Sequence, residues 1–268
     1  MTHLSRILAI VLRQFYLIRG SLPRLLPMFA WAAIDIVLWG FITKYLNAVT
    51  EPGLNFVPVL LGAVLFWNFF VRVMLGVTMA FFEDIWSRNF LNLFATPLSI
   101  WEYLAGLVLS SIATSSIGLI VMLLLATLVF GLSFFAYGLL IVPFILVLFM
   151  FGIALGIFAS GIVLRFGPAA EWFVWPIPAI LSPICAVFYP REILPDWLEW
   201  LSYLLPPSYV FESMRNVISG GPPSTLALLV ALILVASYIL LASAWFTRIY
   251  RHAVRTGLIP RYSAETLS

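Results

Sequence analysis

The sequence predicts an all-α polytopic membrane protein with six membrane-spanning helices. Of its 268 residues, 63% are hydrophobic and only 9% are charged, whereas about 25% of the residues in soluble domains are charged. A spanning helix needs roughly 20 apolar residues, so this length accommodates about six spans and several surface segments. No linker, low-complexity tract or internal repeat divides the chain. We therefore expect one membrane domain over residues 1–268.

The first segment, residues 1–22, is predicted to be an amphipathic helix on a membrane surface. Three arginines are spread through it and no small-residue cleavage site follows, so we expect no removable signal peptide. These arginines are Arg6, Arg13 and Arg19. The first predicted span covers 27–45 and the second covers 57–82.

The longest polar interruption with helical periodicity lies at 82–106. Residues 83–96 are predicted to form a short helix on the membrane surface that ends near Ala95. Pro97 disfavours helical geometry at Thr96, so this pair is expected to cap and begin the next helix. The apolar face of the surface helix comprises Phe82, Trp86, Phe90, Leu93 and Phe94.

The remaining spans are predicted at 104–130, 137–164, 172–189 and 225–246. Three prolines interrupt the fifth span, and a broken helix is tolerated in a membrane only where protein or water surrounds it, so this span should face the interior. Residues 190–221 contain two amphipathic pieces that each begin at a proline and are too short to span. We expect two half-inserted helices there, on the outer face. A basic tail occupies 247–268.

A stripe of small residues runs along the fourth predicted span. Such stripes let helix backbones approach closely in membranes. We expect this one to serve internal helix packing rather than a dimer interface. Its members are Gly152, Gly156, Ser160 and Gly161.

The distribution of basic residues predicts the orientation. Ten arginines fall on the side of the N-terminus and three basic residues fall on the other side, so the positive-inside rule places both termini in the cytoplasm. The first group is Arg6, Arg13, Arg19, Arg24, Arg88, Arg165, Arg248, Arg251, Arg255 and Arg261, and the second is Lys44, Arg191 and Arg215. We expect a multi-pass protein of a bacterial cytoplasmic (inner) membrane.

The sequence lacks the residues of an ATPase or a metalloenzyme. The only lysine, Lys44, follows a threonine, so the Gly-Lys pair of a nucleotide-binding loop is absent. His3 and His252 lie near the termini and Cys185 is the only cysteine, which leaves no basis for a metal site or a catalytic dyad within the membrane. The pI of 9.2 reflects arginines that flank apolar helices, so anionic lipids are the expected partners rather than nucleic acid.

Two ionisable residues, Asp35 and Arg72, fall well inside predicted spans. At ~1.5 Å per residue, each lies about 16 Å from the cytoplasmic end of its helix, so the two should be at similar depth. Isolated charges at that depth cost at least ~2.5 kcal/mol each, which favours a structural salt bridge between them. The functional alternative is that Arg72 faces a cavity and binds an anionic group of a substrate.

Aromatic residues make up 16% of the chain, and most are expected in interfacial belts or in the core. Those that line a pathway would suit an amphipathic lipid or a sugar-bearing substrate. The candidates for such a pathway are Trp39, Trp67, Trp172 and Trp175.

Two motifs in this layout resemble the type-2 permease subunits of ATP-binding-cassette exporters, which include drug, lipid and polysaccharide exporters. The resemblance extends over nearly the whole chain, from the basic N-terminal helix to the last span. The motif after the second span is Glu83, Arg88-Asn89, Leu93 and Thr96-Pro97-Leu98, and the motif before the last span is Leu194-Pro195, Trp197-Leu198, Pro206, Tyr209 and Arg215. Where many relatives have an asparagine before the proline, this chain has Leu205, a difference that concerns local turn geometry.

The resemblance implies a permease that works as a homodimer, or as a heterodimer with a similar chain, and that exports a drug, lipid or glycoconjugate. Two copies of a separate ATPase would bind ATP and Mg on the cytoplasmic side. The N-terminal helix would be a connecting helix, and residues 83–96 would be the coupling helix that contacts the ATPase. The implied contact residues are Glu83, Asp84, Arg88, Asn89, Thr96 and Pro97.

A second hypothesis is an ion-coupled secondary carrier or channel. Asp35 and Arg72 would then relay ions, and the proline-broken fifth helix would lie at the binding site. The absence of an evident repeat and of a second intramembrane acid counts against this alternative. An intramembrane enzyme or assembly factor is the least favoured reading, because no catalytic cluster is present.

Overall fold

The computed structural model describes residues 2–49, 57–87, 89–133, 138–222 and 224–257. This described part of the chain is helical and contains no β-strand. A π-helical turn, Val57–Leu61, precedes α3. The α-helices are α1 (His3–Arg19), α2 (Leu22–Val49), α3 (Gly62–Trp86), α4 (Asn89–Phe94), α5 (Ile100–Phe130), α6 (Ile141–Phe166), α7 (Glu171–Val174), α8 (Pro176–Ile184), α9 (Asp196–Tyr203), α10 (Pro206–Ile218) and α11 (Thr225–Thr256).

Four helical segments of the described chain are long and apolar enough to cross a membrane. They are Val57–Trp86, Ile100–Phe130, Gly138–Phe166 and Thr225–Thr256. They coincide with the second, third, fourth and sixth predicted spans. The first predicted span lies within α2, which is 28 residues long. The count of six spans stays a prediction.

The region of the fifth predicted span, 172–189, is divided between α7 and α8. These helices have four and nine residues, which is shorter than the roughly 20 residues of a spanning helix. Pro176 begins α8, and proline is tolerated in the first turn of a helix. Pro183 lies inside α8, where a proline removes a backbone hydrogen bond. The predicted break in this segment is present.

Two short helices, α9 and α10, occupy the segment that was predicted to contain two amphipathic pieces. A proline precedes the first residue of α9, and α10 begins at Pro206. α10 packs against α6 and α11 at one end of the helix bundle. The depth of these helices in a membrane stays a prediction.

α3 lies at the centre of the bundle, with α5 and α6 packed along it and α11 packed on the far side of α6. Its aromatic residues interlock with those of α6. The rings of Phe70 and Phe151 stack with centroids 5.6 Å apart, and Phe66 meets Phe144 edge to face at 6.5 Å. Four fully buried aromatic rings therefore join these two helices.

The small-residue stripe of α6 provides the close approach to α3, as the sequence predicts for internal packing. A Cβ atom added at Gly156 would lie 2.9 Å from the Cβ of Val77 and 3.0 Å from the carbonyl oxygen of Met74. The hydroxyl of Thr78 bridges the helices, because it donates to the carbonyl oxygen of Met74 at 2.9 Å and lies 3.3 Å from that of Gly156.

We expect Gly156→Val to destabilise the protein by about 1–3 kcal/mol, because the added methyl groups overlap the backbone of a buried helix. Thermal unfolding in detergent measures this effect. Ala113→Val is the matched control, since Ala113 is exposed on α5 and the substitution adds methyl groups without a clash. Equal stability of the two variants would contradict the proposed packing role of Gly156.

Candidate functional site

Several helices meet at the end of the bundle that contains α1, and we call this region the helix junction. It consists of α1, the last turns of α3, α4, the first turns of α5 and the last turns of α11. α1 packs closely on α5, since a Cβ atom added at Gly106 would lie 2.6 Å from the Cβ of Ile10. α4 packs on α3, and the ring of Phe94 lies 6.1 Å from that of Tyr250 in α11.

A buried carboxylate, that of Asp84, joins three helices of the junction. Its side chain is 1% exposed, and both of its oxygens accept hydrogen bonds from the guanidinium of Arg13, one of them at 2.8 Å. The hydroxyl of Tyr103 donates to it at 2.7 Å. This carboxylate is turned inward and bound within the chain. The contact of Asp84 with an ATPase stays a prediction.

The charge of Arg13 is stabilised by the same contacts. The hydrogen bond from its guanidinium to Asp84, aided by the nearby negative charges, raises the pKa of Arg13 although partial burial opposes the shift. A buried carboxylate is tolerated only when it is paired and its oxygens are hydrogen-bonded. Arg13 thus binds α1 to the end of α3.

A second carboxylate, that of Glu102, joins α1 to the start of α5. It is 5% exposed and accepts from the backbone amide of Ser99 at 2.7 Å. Nδ1 of His3 lies 2.5 Å from its other oxygen, and Nη1 of Arg6 lies 3.3 Å away. Arg6 and Arg13 were expected to meet lipid headgroups, but the structure pairs both of them with carboxylates of the chain.

The outward face of α1 is apolar instead. Its exposed large side chains follow helical spacing along one side of the helix, and they are Leu4, Leu8, Leu12, Phe15 and Tyr16. An apolar stripe of this kind fits the predicted position on a membrane surface.

The start of α5 differs from the sequence-based expectation. Its N-cap is Ser99 and not Thr96. Ser99 forms a reciprocal capping box with Glu102. Thr96 has no glutamate three residues later, so it cannot form this box. Its hydroxyl instead donates to the carbonyl oxygen of Leu93 at the end of α4.

The ring of Tyr103 is the centre of an aromatic cluster beneath α4. The centroids of three phenylalanine rings lie about 6 Å from it, those of Phe81 (6.0 Å), Phe90 (6.0 Å) and Phe94 (5.7 Å). α4 is therefore attached to α3 and α5 through buried rings, which leaves its polar side outward.

One residue of the predicted apolar face, Trp86, lies on the outward surface of the junction instead of being buried. Trp86 is 60% exposed although it shares helical spacing with the buried Phe82 and Phe90, and sequence periodicity offered no signal that separates them. The other exposed residues of this surface are Ser87, Asn92, Ala95, Thr96 and Pro97, whereas Glu83 and Asn89 are partly buried. Arg88 lies outside the described residues.

The sequence model of one protein family, described as ABC-2 type transporter, matches residues 6–219. The chain belongs to the ABC-2 type transporter family. This is a family of permease subunits of ABC transporters, so the protein is a membrane component of such a transporter. The search of curated proteins found no match.

The permease places Arg72 beside α5. A Cβ atom added at Gly118 would lie 2.6 Å from Nε of Arg72, so this glycine provides the space that the arginine side chain occupies. Asp35 is partly exposed on α2. The salt bridge between Asp35 and Arg72 stays a prediction, as does a contact between Arg72 and a substrate.

The four tryptophans proposed to line a pathway of the permease have different surroundings. Trp39 stacks on Phe188 with centroids 4.8 Å apart, and Trp67 is 9% exposed and lies 6.1 Å from the ring of Phe211. Both of these rings therefore contribute to packing. Trp172 and Trp175 are 80% and 50% exposed, so these two keep surfaces that a ligand or lipid can reach.

We expect Asp84→Ala to destabilise the permease by about 3 kcal/mol, because it leaves the Arg13 guanidinium and the Tyr103 hydroxyl without their carboxylate. Thermal unfolding in detergent measures the loss. Asp196→Ala removes an exposed carboxylate and serves as the control. Replacing the pair with apolar residues, Arg13→Met with Asp84→Leu, should recover part of the stability. If Asp84→Ala were as stable as Asp196→Ala, the ion pair between Arg13 and Asp84 would not contribute to stability.

Proposed function

We propose that this chain is the transmembrane subunit of an ATP-driven exporter that moves an amphipathic substrate out of the cytoplasm or inner leaflet. The substrate class is a drug, a lipid or a glycoconjugate. Family membership supports the ABC mechanism. The observation that supports the coupling step is the packing of the helix junction. The short helix α4 has a polar outward side and packs through aromatic rings on the membrane helices α3 and α5.

A separate ATPase subunit, present in two copies, docks on the outward surface of the junction. The proposed contact surface includes Trp86, Ser87 and Asn92 together with the predicted residues Glu83, Arg88, Asn89, Thr96 and Pro97. Trp86 is a suitable anchor, because exposed tryptophans that fill a partner's pocket often contribute a large share of binding energy. ATP and Mg bind to the ATPase and not to this chain.

The junction explains how movement of the ATPase reaches the membrane. A force on α4 acts through Phe90 and Phe94 on Tyr103 of α5, and through Phe81 on α3. The Arg13–Asp84 ion pair adds α1 to the same unit. Closure of two ATPase subunits would then tilt these helices together and change access to a pathway between two permease subunits, which are identical or similar chains.

The orientation follows from the charge distribution. We place the helix junction and both termini in the cytoplasm of a bacterium, because most arginines lie at that end of the predicted layout. α9 and α10 then lie at the outer surface of the inner membrane. The exposed Trp172 and Trp175 are available to an amphipathic substrate or to surrounding lipid.

We expect Ser87→Arg to abolish co-purification of the ATPase, because a long cationic side chain would obstruct the centre of the docking surface. The test is affinity purification of the tagged chain from native membranes in mild detergent, followed by an ATPase assay. Ser219→Arg is the matched control. Ser87 and Ser219 are both exposed C-cap residues with φ of −75° and ψ of 3°, but Ser219 lies at the opposite end of the bundle.

An ATPase that co-purifies with the wild-type chain and with Ser219→Arg, but not with a normally folded Ser87→Arg variant, supports the proposal. If both variants retain the ATPase equally, the docking surface is elsewhere. If no ATPase is captured even after cross-linking, while an ion gradient drives flux in proteoliposomes, the proposed function is wrong and the carrier hypothesis replaces it.

A further inference from the structure

Arg191, in the segment between α8 and α9, is a buried cation without a carboxylate partner. It is 7% exposed, and it forms no ion pair within the part of the chain that the structure describes. The carboxylate of Glu212 pairs with Arg215 at 2.7 Å and meets only the backbone amide of Arg191, at 3.4 Å. A buried charge is costly unless an opposite charge compensates it. The charge of Arg191 therefore lacks such compensation in this segment.

The neighbours of Arg191 use only part of its binding capacity. The ring centroids of Tyr203 and Tyr209 lie 4.2 and 4.9 Å from Cζ, and Nη2 donates to the hydroxyl of Ser208 at 3.0 Å. Nε is buried and has no hydrogen-bond partner. Aromatic faces attract a cation, but they do not replace the oxygen acceptors that a guanidinium binds in its own plane. Arg191 therefore keeps donors for an anionic group.

The guanidinium of Arg191 lies at the start of α10. Ser208, which accepts its hydrogen bond, belongs to the first turn of this 13-residue helix, and the N-terminal end of a helix carries a partial positive charge. No side chain caps this end, and Pro206 and Pro207 occupy its first two positions. Arg191 and the end of α10 therefore present positive charge at the same place, which favours an anion there.

An exposed apolar stripe on α9 adjoins this positive site. Its members recur at helical spacing on one side of the helix and are between 43% and 75% exposed: Trp197, Trp200, Leu201 and Leu204. The ring of Trp200 lies 6.4 Å from that of Tyr203, and the ring of Tyr203 lies against Arg191. A molecule with an anionic group at Arg191 would thus reach the stripe with an apolar body.

We propose that Arg191 and the start of α10 bind the anionic group, a phosphate or a carboxylate, of an amphipathic molecule whose apolar body lies on the stripe of α9. This inference deepens the proposed function and rests on it, because it assigns a negatively charged group to the exported substrate. An anionic membrane lipid has the same chemistry and is the second source of such a ligand.

The test measures binding of dodecyl phosphate to the purified permease in a neutral detergent, as a saturable rise of the unfolding temperature. Dodecyltrimethylammonium, which has the same chain and the opposite charge, should produce no such rise. We expect Arg191→Met to weaken binding of dodecyl phosphate about tenfold, because a charge-assisted hydrogen bond is lost. Arg191→Lys keeps the charge and should weaken it less. Arg19→Met is the control, since Arg19 is exposed at the end of α1.

Trp200→Ala tests the apolar part of the site separately, and it serves if Arg191→Met does not fold. Trp200 is 75% exposed, so its removal leaves the core intact. We expect this variant to bind dodecyl phosphate several-fold more weakly, because the alkyl chain loses contact area. Wild-type affinity in a folded Trp200→Ala variant would contradict the proposed position of the apolar body.

Nanodiscs of phosphatidylcholine, with and without phosphatidylglycerol, separate the two sources of the ligand. Displacement of dodecyl phosphate by phosphatidylglycerol supports an anionic site that a membrane lipid fills. Binding that phosphatidylglycerol does not displace supports a site for the substrate. Equal binding of dodecyl phosphate by wild type and Arg191→Met would overturn the proposal, as would equal stabilisation by the anionic and the cationic amphiphile. The assay contains no ATPase, so the result with Ser87→Arg reports on the proposed function independently.

Discussion

Burial of the Asp84 carboxylate is the constraint on which the helix junction depends. An unpaired carboxylate in such a site would cost several kcal/mol, so α1 must bring Arg13 to it and α5 must bring the hydroxyl of Tyr103. These two requirements fix the position of α1 relative to α3 and α5. Glu102 repeats the arrangement two turns nearer the N-terminus of α1, with Arg6 and His3.

The junction and the bundle are joined by rings and not by polar contacts alone. Tyr103 carries its hydroxyl into the ion-pair network while its ring supports Phe90 and Phe94 of α4. The same residue thus belongs to the polar site and to the core. Beyond it, the close contact between α3 and α6 at Gly156 leaves little room for independent motion of these helices, so α4 is expected to move together with them.

Arginines at this end of the protein perform two different tasks. Arg6 and Arg13 point into the chain and neutralise carboxylates, whereas Arg251 and Arg255 point outward from α11 without a partner among the described residues. The first pair stabilises the fold and the second pair is available for an external partner. A positive-inside count treats all four alike, because it depends only on position along the chain.

The sequence by itself determined the helical membrane class, the positions of four long apolar helices, the break at the prolines of α8 and the two short helices before α11, because these depend on local composition, periodicity and proline geometry. It also indicated the family, through the motif after the second predicted span and the motif before the last one. Tertiary structure decided which charged residues are buried. Asp84 meets Arg13 across 71 positions and Glu102 meets His3 across 99, and no local pattern encodes such a pairing. The same reason explains why Trp86 is exposed. The cap of α5 is different, because the choice of Ser99 over Thr96 follows a local pattern, a serine with a glutamate three residues later.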